Sequence, residues 1–240
     1  MSAAPRRVLP EMLDELPPED PRARRSRRDL QRVHLAMATL STLRRALARL
    51  QLAAPPRRIL ELGAGDGTLL LRLARAMQPS WHDLELTLLD RHDIVAPGTH
   101  EAYAQFGWRV SVLRADVLDW VREVASPQPD LPHYDLCLTT LFLHHFDDVH
   151  LAGLLAAVAA SSDAFVACEP RRDALAQLGS HLVGVIGGNK VTREDAVTSV
   201  AAGFRHQELS ALWPSAHGPW RISEYAARPF THCFVAAHAR

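Results

Sequence analysis

Arg58-Ile59-Leu60-Glu61-Leu62-Gly63-Ala64-Gly65-Asp66-Gly67 is the stretch on which the fold turns. A short apolar strand runs straight into a glycine turn, and Thr68 to Met77 then carries Leu and Ala at helical spacing. That order brings a helix N-terminus, with its unpaired N–H groups, to the end of a buried strand, where a ligand can approach the backbone closely. The glycines stand as G-x-G-x-G at 63, 65 and 67. A dinucleotide fingerprint would put its third glycine at 68, which is Thr68, and a phosphate-binding P-loop would need a G-K-S/T that is absent.

Outward from this turn the alternation continues. Strands are expected over 84–90, 109–114, 134–140 and 164–168, and helices over 100–106, 117–124 and 149–160. Strand–helix alternation of this kind predicts a parallel sheet covered on both faces. Upstream, residues 1–20 form a Pro-rich acidic arm, and Asp20-Pro21 supplies an N-cap and a first-turn proline. Leu30, Val33, Met37, Leu40, Leu43, Leu47 and Leu50 then make one apolar helical stripe, with a break expected near Ser41-Thr42. Pro55-Pro56 ends it, so residues 1–54 are expected to form an arm and helical cap and 55–240 the main domain. Downstream, 171–203 is a helical excursion broken at Gly187-Gly188, and Thr192-Arg193-Glu194-Asp195 resembles a capping box. Two strand-like runs follow, 207–213 and 231–238, joined by a loop rich in Pro, Gly and aromatics.

Composition narrows the function. The chain has 240 residues, 48% apolar and 22% charged, which excludes wholesale disorder. With 27 basic and 27 acidic residues the net charge is zero, which argues against a surface built to grip nucleic acid. No apolar run is long enough to span a bilayer, and the N-terminus lacks the apolar core of a signal peptide. Cys137, Cys168 and Cys233 each sit in a strand-like run, read as buried free thiols in a reducing cytoplasm.

The segment ILELGAGDG at 59–67 resembles the first motif of the class I S-adenosylmethionine-dependent methyltransferases. Three further segments match that family in order: LTLLD ending in Asp90, Arg114-Ala115-Asp116-Val117, and YDLCLTTLFLHHF over 134–146. The last is similar to the small-molecule branch typified by ubiquinone and menaquinone methyltransferases. The resemblance implies an α/β Rossmann-like sheet of seven strands in the order 3-2-1-4-5-7-6. Strand 7 would be antiparallel, helices would cover both faces, and an N-terminal helical cap would lie above. It also implies S-adenosyl-L-methionine as cofactor, held by Glu61, Gly63, Ala64, Gly65, Gly67, Asp90, Arg91, Asp116, Val117 and Thr139. The chemistry suits these assignments. A carboxylate such as Asp90 can accept two hydrogen bonds from the ribose diol, and Asp116 can accept from the adenine amino group.

His144 and His145 follow strand 4 and Glu169 ends strand 5, neighbours in the implied order. A histidine and a carboxylate can therefore meet at one mouth, His144 as general base and Glu169 as its orienting acid, with His145 beside them. His144, His145 and His150 lack a carboxylate or cysteine at metal-ligand spacing, so no metal is expected. Phe142, Trp220 and Tyr225, with His217 and Arg221 in the loop 214–230, are the expected acceptor-binding residues. The Asn-Pro-Pro-aromatic segment of base amino-methylases and the paired-glutamate loop of protein arginine methyltransferases are both missing. What remains is a small, largely apolar metabolite carrying a hydroxyl (a phenol, quinol or polyketide), O-methylated by direct displacement. A non-catalytic cofactor-binding or assembly protein of the same fold is the alternative, as is C- or N-methylation, and a homodimer is compatible with either.

Overall fold

The computed structural model describes residues 5–126, 132–214 and 218–238. Seven strands form one sheet: β1 (Arg58–Leu62), β2 (Leu84–Asp90), β3 (Trp108–Arg114), β4 (Leu136–Thr140), β5 (Ala164–Pro170), β6 (Trp220–Ala227) and β7 (Thr231–His238). Their order is β3-β2-β1-β4-β5-β7-β6, as expected. The β1, β2, β3, β4 and β5 pairings are parallel, whereas β7 runs antiparallel to both β5 and β6.

Ten helices accompany it among the described residues: α1 (Met12–Glu15), α2 (Pro21–Ala36), α3 (Thr39–Leu50), α4 (Thr68–Ala76), α5 (Pro97–Ala104), α6 (Val117–Ala125), α7 (Asp148–Ser161), α8 (Ala174–His181), α9 (Lys190–Ala202) and α10 (Glu208–Leu212). Period-two side-chain alternation divides the core between the two faces of the sheet. Ile59, Leu136, Leu138, Val166 and Val235 pack on one face with Leu43, Leu47 and Leu50 of α3 and Leu70 and Leu73 of α4. Leu60, Leu62, Cys137, Phe165 and Phe234 pack on the other with Trp120 of α6 and Leu151, Leu154 and Val158 of α7. Because the central strands are covered twice, they read as continuous apolar runs. All three cysteines are buried and free, with Cys168 Sγ and Cys233 Sγ 3.9 Å apart across β5 and β7.

Four local expectations are corrected. The N-terminal stripe breaks at Ala38, in the left-handed region at φ 51°, rather than near Ser41-Thr42. The break turns α3 down onto β5 and β7, so α3 belongs to the sheet's helical layer, while α1 and α2 pack on α9 above the mouth. The cap of α9 is Asn189, whose side chain accepts from Thr192 N, three residues before the expected capping box. Residues 207–213 contain α10 rather than a strand. Its first turn is held by a residue remote in sequence: the Glu224 carboxylate accepts from Leu209 N (3.0 Å) and Ser210 N (2.7 Å). The sixth strand instead lies in the supposed loop, where Trp and Tyr serve β-structure. No helix among the described residues is long and apolar enough to cross a membrane.

Candidate active site

The carboxyl ends of the parallel strands open into a cavity of about 1000 Å³, closed from above by the arm, α2, α8 and α9. Open α/β sheets bind ligands at this edge. The glycine loop forms one wall. Gly63 N and Ala64 N donate to Leu89 O (2.9 and 3.2 Å), which ties the loop to the end of β2. Gly63 has φ +68°, and a Cβ there would come within 2.3 Å of the Phe142 ring, so only glycine fits. Gly65 has φ +57° with open space where its Cβ would stand. The Asp90 carboxylate accepts from Gly65 N (2.9 Å) and His92 N (2.9 Å), leaving further lone pairs for a ligand. Asp116 caps α6 through Leu118 N (2.8 Å). Glu61, Gly63, Ala64, Gly65, Asp90, Arg91, Asp116 and Val117 all line this one cavity.

Glu61 is the unusual member. It is buried, and its Oε2 has no hydrogen-bond partner. Burial, then the charges of Asp66 and Asp90, push its carboxyl well above the usual range. A buried carboxyl without a partner at a cavity wall can ionise against an incoming cation, which would supply the missing partner. Two expected cofactor residues are not on the wall. Thr139 is fully buried and donates to Leu62 O (3.1 Å). Gly67, at φ +70°, shapes the turn and accepts from Tyr103 Oη (2.6 Å).

The opposite wall carries the expected histidine–carboxylate pair. His144 Nδ1 lies 2.8 Å from Glu169 Oε2. Glu169 is fully buried and also accepts from Phe142 N (3.0 Å) and Leu143 N (3.1 Å), at the turn of 3-10 helix over Leu143–His145. The other side of His144 was not foreseen. Its Nε2 faces Glu11 Oε1 at 3.3 Å, a carboxylate brought from the arm. Burial alone would lower the His144 pKa, but hydrogen bonds to Glu11 and Glu169 raise it to about 9. Flanked by two carboxylates, this imidazole favours its protonated form. His145 Nδ1 pairs with Asp14 Oδ2 at 3.0 Å, again from the arm.

α9 secures the arm. Asp195 accepts from Met12 N (2.8 Å) and Leu13 N (3.0 Å), and the Ser199 hydroxyl donates to Glu11. Burial, aided by the charges of Glu11 and Asp14, raises Asp195 to about 6. From α2, Gln31 Nε2 donates to Asp66 Oδ2 (3.0 Å), joining the cap to the glycine loop. Glu11, Asp14, Asp195 and Gln31 were invisible as site residues in the sequence. The one available signal was the acidic character of the arm.

Of the expected acceptor-binding residues, Phe142 lines the cavity. Trp220 and Tyr225 do not. Trp220 pairs with His238 at the amino-terminal end of β5 and packs edge-on against Trp213, with 5.0 Å between centroids. Tyr225 lies under the Arg49 guanidinium, 4.2 Å from the ring centroid, and packs on the core beneath α3. Arg221 points toward the end of α3, donating to Leu50 O (3.3 Å). His217 lies outside the described residues. In place of that loop, the turn after α8 supplies Leu182 and Val183 to the cavity and α9 supplies Val200.

No family model matches the chain, and no curated protein matches it in sequence. Solved structures do match in fold. The plantazolicin methyltransferase BamL, in complex with a triazolic desmethylPZN analog and SAH, superposes with a TM-score of 0.61 at 12% identity, over 95% of this chain and 93% of that one. An O-methyltransferase family protein from Burkholderia thailandensis gives 0.57 at 17% identity, and the pyocyanin biosynthetic protein PhzM gives 0.55 at 21%. Each covers 92% of this chain, which spans only 61% and 60% of those two. The fold is thus the Rossmann-like fold of the class I methyltransferases. The likeness carries no specific link to the ubiquinone and menaquinone branch.

Proposed function

We propose that the chain is an S-adenosyl-L-methionine-dependent methyltransferase that O-methylates a small, largely apolar hydroxyl-bearing metabolite in the cytoplasm. The observation that carries this reading is Glu61: a buried carboxylate oxygen without a partner, beside the open space over Gly65, in the cavity lined by Asp90 and Asp116. That donor set suits a ligand with an ammonium, a vicinal diol and an exocyclic amine. Glu61 would take the ammonium, Asp90 the ribose hydroxyls and Asp116 the adenine amino group, with Arg91 and Val117 beside them. Bound there, the cofactor supplies an activated methyl group on a sulfonium.

The chain's own contribution is alignment, desolvation and proton handling. The arm, α2 and α9 line the mouth and would limit the access of water to it. The apolar lining from Phe142, Leu182, Val183 and Val200 suits an aromatic or polyketide acceptor. His144 and Glu11, 3.3 Å apart with Glu169 fixing the ring, would together accept the hydroxyl proton of the acceptor. The names of similar structures, a plantazolicin methyltransferase and a pyocyanin biosynthetic protein among them, support a small-molecule acceptor.

The test is transfer of a labelled methyl group from S-adenosylmethionine to a panel of phenols, quinols and hydroxylated polyketides, with binding followed by calorimetry. Label on an acceptor oxygen supports the reading. Tight cofactor binding without transfer to any acceptor would favour the non-catalytic alternative, and a preference for NAD would refute the reading altogether.

A further inference from the structure

The histidines after β4 are arranged with a carboxylate as a group able to hold a metal ion. Each has its Nδ1 fixed by a carboxylate: His144 by Glu169 at 2.8 Å, His145 by Asp14 at 3.0 Å. Fixing Nδ1 sets the tautomer and aims Nε2, which is how proteins orient histidine toward a metal. Both Nε2 atoms face the same carboxylate, Glu11, at 3.3 and 4.0 Å. The second distance lies beyond hydrogen bonding, so hydrogen-bond pairing with Glu11 does not account for the His145 orientation. One ligand atom from each of the three residues lies within 4.8 Å of the others. Ligands at about 2.1 Å around a tetrahedral ion are about 3.4 Å apart, so a small inward movement completes the set.

Charge points the same way. Glu11, Asp14 and Glu169 crowd around two imidazoles, and the Arg91 contact at 3.4 Å reaches only Asp14. Glu11, His144 and His145 all line the cavity, so positions left open on an ion there would face the space beside the glycine loop. Open positions of this kind distinguish catalytic from structural sites. The spacing of His144, His145 and His150 gave no reason to place a metal, because the carboxylate comes from 133 residues upstream of His144.

We propose that Glu11, His144 and His145 bind one divalent first-row transition ion in the acceptor cavity, Glu169 and Asp14 holding the imidazoles from behind. Two imidazoles and a carboxylate suit zinc, cobalt, iron or manganese rather than magnesium or calcium. Binding of the ion would displace the His144 Nε2 proton and occupy the Glu11 carboxylate. On the methyltransferase reading, on which this role rests, the ion rather than Glu11 would then act on the acceptor's oxygen, which completes the shell and is thereby positioned.

The experiment titrates the chelator-treated full chain with Co²⁺, read by visible d–d absorption, and with Zn²⁺, read by calorimetry. One equivalent is expected to bind. His145→Ala should weaken binding at least 100-fold and Asp14→Asn about 10- to 100-fold, while His150→Ala should bind as wild type does. Glu11→Gln should also lose the site; if it loosens the arm, the His145 and Asp14 variants decide the matter. The absence of stoichiometric binding by wild type, or equal binding by His145→Ala, overturns the proposal. S-adenosylmethionine affinity is measured on the same metal-free samples. Intact cofactor binding without metal binding overturns this inference alone, whereas metal binding without cofactor binding overturns the functional reading and leaves the site standing.

Discussion

Replacing Glu61 with glutamine separates what this side chain costs the free protein from what it contributes when the cofactor is bound. In the free protein burial, with the charges of Asp66 and Asp90, raises its pKa well above the usual carboxylate range. Above that range the unfolded chain has released a proton that the folded chain still holds, so stability falls as pH rises until the folded group also ionises. One proton is worth about 1.4 kcal/mol per pH unit. Between pH 6 and pH 8, urea unfolding should show wild type losing stability with rising pH relative to Glu61→Gln, which has no proton to release. Binding reverses the sign. An ammonium beside an ionised Glu61 makes a charge-assisted hydrogen bond worth about 1.5–3 kcal/mol, so the variant should bind S-adenosylmethionine about 10- to 150-fold more weakly. Calorimetry in buffers of different ionisation enthalpy should also detect proton release on binding to wild type and none to the variant. Equal affinity together with an equal pH slope would refute both the buried charge and its role as the ammonium receptor.

Other perturbations probe the remaining parts. Asp90→Ala should weaken cofactor binding by about 1.5–3 kcal/mol while leaving the fold intact by circular dichroism; unchanged calorimetric affinity would remove the ribose assignment. Deleting residues 1–19 removes Glu11 and Asp14 from the mouth and should lower acceptor turnover by about 100-fold with cofactor affinity changed far less, and equal loss of both would contradict that division. Glu224 is buried against His232 at 2.7 Å and caps α10. Burial would raise its pKa, but hydrogen bonds to His232 and Ser210 lower it below 4.5. Its stabilisation, about 1–3 kcal/mol relative to Glu224→Ala, should be complete above pH 4.5 and disappear in urea titrations as pH falls through the lowered value.

Strands β1, β2, β3, β4, β5 and β7, the glycine turn and the acids that line the cavity were legible because each depends on neighbours in sequence. A buried parallel strand is a continuous apolar run, a left-handed turn calls for glycine, and motif order places Glu61, Asp90 and Asp116 at one edge of the sheet. Where sequence reading failed, a remote contact decided. The apolar run at 207–213 suits strand or helix equally, and Glu224, donated by β6, selects α10 by accepting from its first N–H groups. Trp220 and Tyr225 looked like pocket lining, yet β-pairing with β7 carries one to the far edge and the other under α3. The meeting of His144 and Glu169 could be inferred from strand adjacency, but the state of that histidine could not. It depends on Glu11, an arm residue with no local motif, held by α9 within reach of the ring. Local pattern reports backbone conformation and burial, whereas charge state and ligand geometry are sums over residues that only the folded chain brings together.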